Sequence, residues 1–501
     1  MTDEVTAKWR GMSRVLRLVA LLAVLVMIGA ACTSSSSDDE SGDDEPGDTA
    51  ADDSVADDPA ADDPAADDPA ADDGAAGDPA AGDADADDAA ADDTTDDTGG
   101  GELTASARGV TPESVFIGVS MLDFEFLVES NLAPQGWGDQ QLVYQTYIDD
   151  LNARGGINGR MVEAIYEFYS PLGTTEAEAA CVALTEDNEV FAVLGGFLGP
   201  SEPANTCITG TQETILIGGR QTAERRAESN APWFEIQASR DRRLDIFLSL
   251  LDSTGRLEGA QVAVVGGIAT EEEFNSSGDV LRSFGVEPVL EILNDSPEGD
   301  IPAENAAWEV IAERIRQSDA DTLLIIGSTS AAIRNVSLNG LDVEMWAVDS
   351  DNLNNLGESV VPDMAQGVLT VTGLTDDQIW VDPETEKCKE IFYAANPDVP
   401  NKLPSEYAEG EDQWFTPIYA FCRDVKLLEL LATPAGADLT HESFAGSVTG
   451  LSEFALPGIP FASLGPDKFD AGDTFLLAEF DATASETGEI VPISDPIDVT
   501  P

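Results

Sequence analysis

Positive charge is what this 501-residue chain has least of. It carries 24 Lys and Arg against 97 Asp and Glu, a formal net charge of −73 and a pI near 4.1. Nucleic acid and anionic lipid both repel such a polyanion, which argues against either as a partner. Histidine occurs once, as His441 in Thr440-His441-Glu442-Ser443, so a Ser-His-Asp triad would have to rest on that one side chain. The Gly-x-Ser-x-Gly elbow of hydrolases is missing. Carboxylates are so abundant that pairs of glycosidase type arise by chance and signal nothing. The Gly-x-Gly-x-x-Gly and P-loop patterns are also missing, so no nucleotide cofactor is expected. Cysteine occurs five times and never as Cys-x-x-Cys, which with a single histidine leaves no zinc signature. After the first 31 residues no apolar run approaches the length of a membrane span. No strong signature of catalysis, of a metal or of a nucleotide cofactor is therefore present.

The amino terminus reads as an address. Lys8, Arg10, Arg14 and Arg17 form a positive region, and Leu18 to Ala31 is apolar but too short for an ordinary span. It ends Gly29-Ala30-Ala31-Cys32, followed by Thr33 and a serine run. This resembles a bacterial lipoprotein signal over residues 1–31, in which Cys32 becomes the lipid-modified first residue. Gly29 stands where such signals usually carry Leu. An ordinary secretory signal or an uncleaved anchor is the alternative, and each of these readings exports the body of the protein.

Residues 32–109 form an Asp/Ala-rich spacer. Between Asp38 and Asp97 lie 26 Asp or Glu residues and no Lys or Arg, in repeats such as Ala-Asp-Asp-Pro-Ala. This composition buries too little apolar area to offset chain entropy, so the segment is expected to be a disordered tether. A flexible chain of that length spans roughly 50 Å, and charge repulsion extends it further. The Asp pairs have no fixed geometry that would make them a cation site. Such a strongly acidic chain also suits a saline habitat.

From Val110 onward the length suits two domains. Strand-like apolar runs occupy Val115–Ser120, Met161–Phe168, Val190–Leu194, Thr214–Ile217, Val262–Val265, Thr322–Ile326, Met345–Val348 and Val368–Val371. Helical segments alternate with them, among them Thr174–Thr185, Arg240–Ser253 and Ala303–Gln317. Near-continuous apolar strands between helices imply parallel sheets covered on both faces. With Cys32 set aside, Cys181, Cys207, Cys388 and Cys422 are an even number in an exported chain, which suggests two disulfides. Three connectivities are open, and the most local joins Cys181 to Cys207 and Cys388 to Cys422.

One run carries the most information. Val143, Tyr144, Tyr147, Ile148 and Leu151 mark the buried stripe of a helix, which Gly155 and Gly156 then stop. Ile157 closes the cap, Asn158-Gly159 turns the chain, and a strand follows from Met161. The string Tyr147 to Arg160 resembles the junction after the first helix in the amino-acid-binding receptors of ABC transporters, the leucine/isoleucine/valine-binding protein family. That resemblance covers about Thr111 to Asp473. It implies the type I periplasmic-binding-protein fold, an α/β architecture of two doubly wound parallel-sheet lobes joined by a three-crossing hinge. Lobe I would take residues 110–237 and 372–455, and lobe II residues 238–371 and 456–501.

The resemblance also implies where a ligand would sit. In relatives the loop after the third strand holds a carboxylate through a Ser hydroxyl and backbone amides. Here Leu198 and Gly199 take that place, so amides would carry more of the task. After the fourth strand, Thr222 keeps a ligand-contacting Thr, with Gln221 beside it. Arg220 replaces a small residue, argues against a plain branched-chain amino acid, and could pair with a second acid group. The second-lobe loops read Gly267-Ile268-Ala269-Thr270 and Ser328-Thr329-Ser330, without the tyrosines common in relatives. Thr270, Ser328 and Ser330 are the polar groups offered there. Asp349 and Asp351 follow the next strand, where an acid often meets the ligand's ammonium; a lone loop Asp is otherwise a turn or cap residue. Asp123, Phe124 and Trp137 follow the first strand as an apolar wall, although Trp137 also suits the core.

These readings imply an extracytoplasmic, lipid-anchored, monomeric receptor on the cell membrane. It would capture an amino acid or related small amide- or carboxylate-bearing solute and hand it to an ABC permease. A bilobed sensory or adhesive surface receptor is the alternative, and an exported hydrolase ranks third.

Overall fold

The computed structural model describes residues 102–501, apart from 131, 134, 298, 299, 349, 351, 352, 354, 355, 357–359, 409 and 486. The signal, Cys32 and the acidic spacer up to residue 101 lie outside the described residues. The last part of the expected tether, residues 102–109, is instead fixed to the body: the Ser106 hydroxyl donates to the Leu439 carbonyl at 2.7 Å and Arg108 to the Gln212 carbonyl at 2.6 Å.

Two sheets repeat one strand order. The first contains β1 (Ser114–Leu122), β2 (Met161–Tyr169), β3 (Ala192–Gly195), β4 (Ile215–Gly218) and β5 (Trp233–Phe234). They run parallel in the order β2-β1-β3-β4-β5. The second contains β6 (Val262–Gly267), β7 (Leu290–Asn294), β8 (Thr322–Ile326), β9 (Glu344–Ala347) and β10 (Leu369–Thr372), parallel in the matching order β7-β6-β8-β9-β10. A small hairpin, β11 (Phe454–Leu456) and β12 (Ile459–Ala462), follows in sequence. Then β13 (Thr474–Asp481), β14 (Glu489–Pro492) and β15 (Ile497–Asp498) extend the second sheet in antiparallel fashion.

Helices cover both faces of each sheet because strand residues alternate between two cores. Val262 and Val264 join one core with Phe247, Leu250 and Leu251 of α3 (Arg243–Ser253). Ala263 and Val265 join the other with Trp308, Ile311 and Ile315 of α5 (Ile301–Gln317). In the first sheet, Val115, Ile117 and Val119 meet Tyr144, Tyr147 and Ile148 of α1 (Gln140–Ala153). On its other face, Val193 and Leu216 meet Ala177, Ala180 and Cys181 of α2 (Thr174–Val182). Each fully buried Leu or Phe contributes about 1.5–3 kcal/mol relative to exposure.

The chain passes between the sheets three times. Beyond β5, residues 235–242 lead to α3 on the second sheet. Beyond β10 the chain returns to α7 (Pro383–Ala395) and α8 (Phe415–Ala432), whose Phe392, Ile418 and Leu428 share the first core with α1. Beyond β12 it crosses again to β13. Two doubly wound parallel-sheet lobes with three crossings are thus present, as expected.

The informative run around residue 150 forms as the sequence predicts. Asp139 caps α1 by accepting from the Leu142 amide at 2.9 Å, and the Gly156 amide donates back to the Leu151 carbonyl at 3.0 Å. Gly156 has φ +64°, and a Cβ there would lie 1.9 Å from the Arg160 carbonyl oxygen, so only glycine fits. Asn158 then donates to the carbonyls of Ala432, Thr433 and Gly436, the open end of α8. Arg160 is wholly buried and donates to the carbonyls of Thr111, Thr104 and Ala437. The run therefore ties three separate segments together.

Both disulfides have the local pairing. Cys181–Cys207 spans Cα atoms 6.4 Å apart and Cys388–Cys422 spans 6.0 Å. The second staples α7 to α8. Sequence reading overran one helix: the segment expected over Thr174–Thr185 leaves α geometry after Val182 and continues as a wider turn, Ala183–Asp187.

Candidate functional site

In an open α/β sheet, ligands bind beyond the carboxyl ends of the strands, where strand order reverses. Here that places attention on the loops after β1 and β3 in one sheet and after β6 and β8 in the other.

The loop after β3 is held from within. The Phe197 amide donates to Asn205 Oδ1 at 2.8 Å, and the Leu198 amide donates to the Tyr169 hydroxyl at 3.0 Å. Ser201 is buried and donates to the Gly173 carbonyl at 2.6 Å. The amides of Phe197 and Leu198 thus have partners within the protein. Leu198 is half-buried, and Gly199 is exposed at the head of a short 3₁₀ turn, Gly199–Ala204.

After β4 the expected group divides. Gln221 is fully buried; its side-chain amide donates to the Trp233 carbonyl at 2.7 Å and its Oε1 has no partner among the described residues. It belongs to the wall behind the loop. Thr222 caps the short helix Ala223–Ala227 by accepting from the Arg225 amide. Arg220 alone of these reaches open space. Its guanidinium stands 3.7 Å from Glu235, which is only 1% exposed and also accepts from the Gln221 amide at 2.9 Å. Burial pushes the Glu235 carboxyl up to about 8; the Gln221 amide and Arg220 oppose this, while Asp470 and Glu202 add to it.

In the second sheet, Thr270 turns inward and its hydroxyl faces the carbonyls of Ile326 at 2.8 Å and Gly267 at 3.1 Å. It staples the ends of β6 and β8, and Gly327 is glycine because a Cβ would meet that hydroxyl at 2.4 Å. Ser328 takes a left-handed conformation at the head of α6 (Thr329–Leu338), and Ser330 is half-buried in its first turn. Asp349 and Asp351 lie outside the described residues. Asp123 caps the short helix Phe124–Glu129, accepting from the Phe126 amide at 2.8 Å, while Phe124 stacks on Trp137 at 4.5 Å.

A pocket of about 230 Å³ opens where the crossings meet. Arg220 lines it from the first sheet, and Gln237 and Ala238 from the first crossing. Arg243 and Ile246 of α3, Val348 and Ser350 after β9, Val371 to Gly373 at the second crossing, and Phe475 of β13 complete it. A larger hollow of about 340 Å³ lies among Pro434, Ser443, Gly450 and their neighbours, with no charged side chain and away from the strand ends. The smaller pocket is the better candidate, because both sheets and all three crossings contribute to it or adjoin it.

Beside it lies a buried ion cluster. Arg242 pairs with Asp470 and, at 2.9 Å, with Asp473; Lys468 stands 3.1 Å from Asp470 and 3.2 Å from Asp473. The Ser239 amide donates to Asp470 at 2.8 Å, and Glu235 pairs with Asp470 as neighbouring backbone strands. First and third crossings are thereby locked together.

Sequence reasoning missed all of this except Arg220. A signal existed: six of the chain's 24 cationic residues fall between Arg220 and Arg243.

No family model matches the chain, and no curated protein matches it. Among solved structures it resembles an ABC transporter substrate-binding protein from Desulfitobacterium hafniense, at 15% identity and TM-score 0.49 over 76% of this chain and 100% of that one. A possible leucine/isoleucine/valine-binding protein from Rhodopirellula baltica SH 1 gives 14% and 0.44 over 76% and 96%. An ABC transporter substrate-binding protein from Sphaerobacter thermophilus gives 18% and 0.47 over 77% and 99%. At these scores the likeness carries no argument of its own; the repeated sheet order and the three crossings do. Two such sheets joined by three crossings are the architecture that the resemblance to type I periplasmic-binding proteins implied. No helix among the described residues is long and apolar enough to cross a membrane.

Proposed function

We propose that the chain is the extracytoplasmic solute-binding component of an ABC transporter. It captures an amino acid or related small amide- or carboxylate-bearing solute between lobe I (110–237 and 372–455) and lobe II (238–371 and 456–501). Cys32 carries the lipid anchor, residues 33–101 are the tether, and a membrane permease receives the cargo.

The observation that carries this reading is the pocket itself. It lies between two sheets of identical strand order, at the place where the connecting segments meet, so a ligand there touches both halves at once. A ligand contacting both halves favours the arrangement that encloses it, which is how hinged receptors respond to cargo. Two disulfides fit an oxidising, exported setting.

A thermal-shift screen of the purified body against amino acids, short amides and organic acids tests it. A specific solute at a hundred times its Kd stabilises the folded state by about 2.7 kcal/mol. The reading fails if no solute raises the melting temperature while a chromogenic ester or glycoside is turned over.

A further inference from the structure

The pocket at the crossings is lined by neutral polar residues and apolar ones, and its two charged residues are already engaged. Arg220 stands 3.7 Å from Glu235, and Arg243 has a partner within the protein. Among the described residues that line the pocket none is acidic. A carboxylate entering here would have to compete with Glu235 for Arg220. Glu235 is only 1% exposed, so water cannot replace the guanidinium that it would lose. An ammonium would lie beside two guanidinium groups, with no described acid in the lining to receive it. Taking a charge out of water is costly unless a partner waits for it, so this lining disfavours a net charge of either sign.

A neutral polar group meets no such obstacle. Gln237, Ser350 and Thr372 line the pocket with side chains of the kind that both donate and accept hydrogen bonds without carrying charge. A guanidinium has five N–H donors, so Arg220 can keep Glu235 and still donate to a carbonyl oxygen. Ile246 of α3, Val371 of β10 and Phe475 of β13 supply an apolar seat in the same space. Resting on the reading of this pocket as the solute site, we propose that its cargo is a small uncharged carboxamide with an apolar body. The amide supplies the donor and acceptor that the neutral lining matches, and the body fills the apolar seat. The volume, about 230 Å³, equals about eight waters at roughly 30 Å³ each, which admits such a molecule and excludes oligosaccharides.

Calorimetric titration of the wild type at pH 7 with two matched sets of probes tests this. One set is isovaleramide, isovalerate and isoamylamine; the other is benzamide, benzoate and benzylamine; L-leucine is added as a zwitterion. Within a set the skeleton is constant and only the charge of the polar end changes. At least one amide should bind, and at least tenfold more tightly than the acid and the amine of its own set and than L-leucine. Its affinity should stay within twofold between 150 mM and 1 M sodium chloride, whereas charge pairing in a partly open site weakens with salt. Phe475→Ala should weaken the amide at least tenfold; the comparison within each set needs no variant and stands even if that one fails to fold. An acid, an amine or L-leucine bound as tightly as the matched amide overturns the inference and leaves the receptor reading standing. So does amide binding unchanged within twofold in a folded Phe475→Ala. If none of these probes binds, the inference is wrong; if the broad thermal-shift screen is silent as well, the receptor reading falls with it.

Discussion

Replacing Arg242 with Met should destabilise the protein through the crossings rather than through either core. Asp470 and Asp473 are 3% and 0% exposed, and each faces both Arg242 and Lys468. Two carboxylates balanced by two cations become two carboxylates facing one ammonium. Removing one partner from a buried ion pair costs about 3–5 kcal/mol, and the remaining Lys468 places this loss near the lower end, about 3 kcal/mol. Burial pushes the Asp470 carboxyl up, but Arg242, Lys468 and the Ser239 amide outweigh it and hold it below the usual range. In the wild type that depression stabilises the fold above the unfolded pKa, and the benefit is lost as pH falls through the lowered folded value. Without Arg242 the depression largely disappears, so the deficit of the variant should be full at pH 7.5 and shrink on approaching pH 4. Adding Asp473→Asn restores one charge against one and keeps an acceptor for the Ser463 hydroxyl, which now donates to Asp473 at 2.5 Å. The double variant should recover about 2 kcal/mol relative to the sum of the single losses. Urea unfolding followed by tryptophan fluorescence and circular dichroism measures this, provided the two transitions coincide. A single-variant loss below about 0.5 kcal/mol, or strict additivity in the cycle, would refute the reasoning.

Other outcomes follow from the same geometry. Cys181→Ser with Cys207→Ser opens a loop of 26 residues and should cost about 3.5 kcal/mol, read as a lower urea midpoint that reducing agent no longer shifts at that site. Gly156→Ala places a Cβ against the Arg160 carbonyl at φ +64°; the conformation alone costs about 1–2 kcal/mol, and the contact adds to it, visible as a lowered melting temperature. Glu235 is raised from 4.5 to about 8 when folded, so it favours the folded state most at low pH and loses that benefit as pH climbs through this window. Glu235→Gln should flatten the stability–pH curve between those values. Arg220, Asp470, Glu202 and the Gln221 amide face this carboxyl.

The scaffold was legible because its signals are local. Val115 to Ser120 and Val262 to Val265 announce buried strands by unbroken apolar character, and Gly155-Gly156 announces the stop after α1 by conformation alone. β7 (Leu290–Asn294) was missed because its burial is partial and irregular, as suits the edge of its sheet. α4 (Glu271–Ser283), whose first turn is a run of glutamates, falls between the named strands as the alternation implies. Side-chain roles at the loop ends depended on remote partners that no local string reveals. The Thr270 hydroxyl meets the Ile326 carbonyl from β8, and the Gln221 amide meets the Trp233 carbonyl from β5. The arginine cluster was visible in composition, but its division into pocket and ion cluster depends on Asp470 and Asp473, some 230 positions away.

Equilibrium dialysis of the purified body against the best solute, with mass spectrometry of both compartments, bears most directly on what the protein does. One equivalent of solute should be retained per chain and be recovered from heat-denatured protein with its mass unaltered. Recovery of a chemically altered product, or no retention at concentrations that raise the melting temperature, would contradict a receptor that captures cargo and passes it on intact.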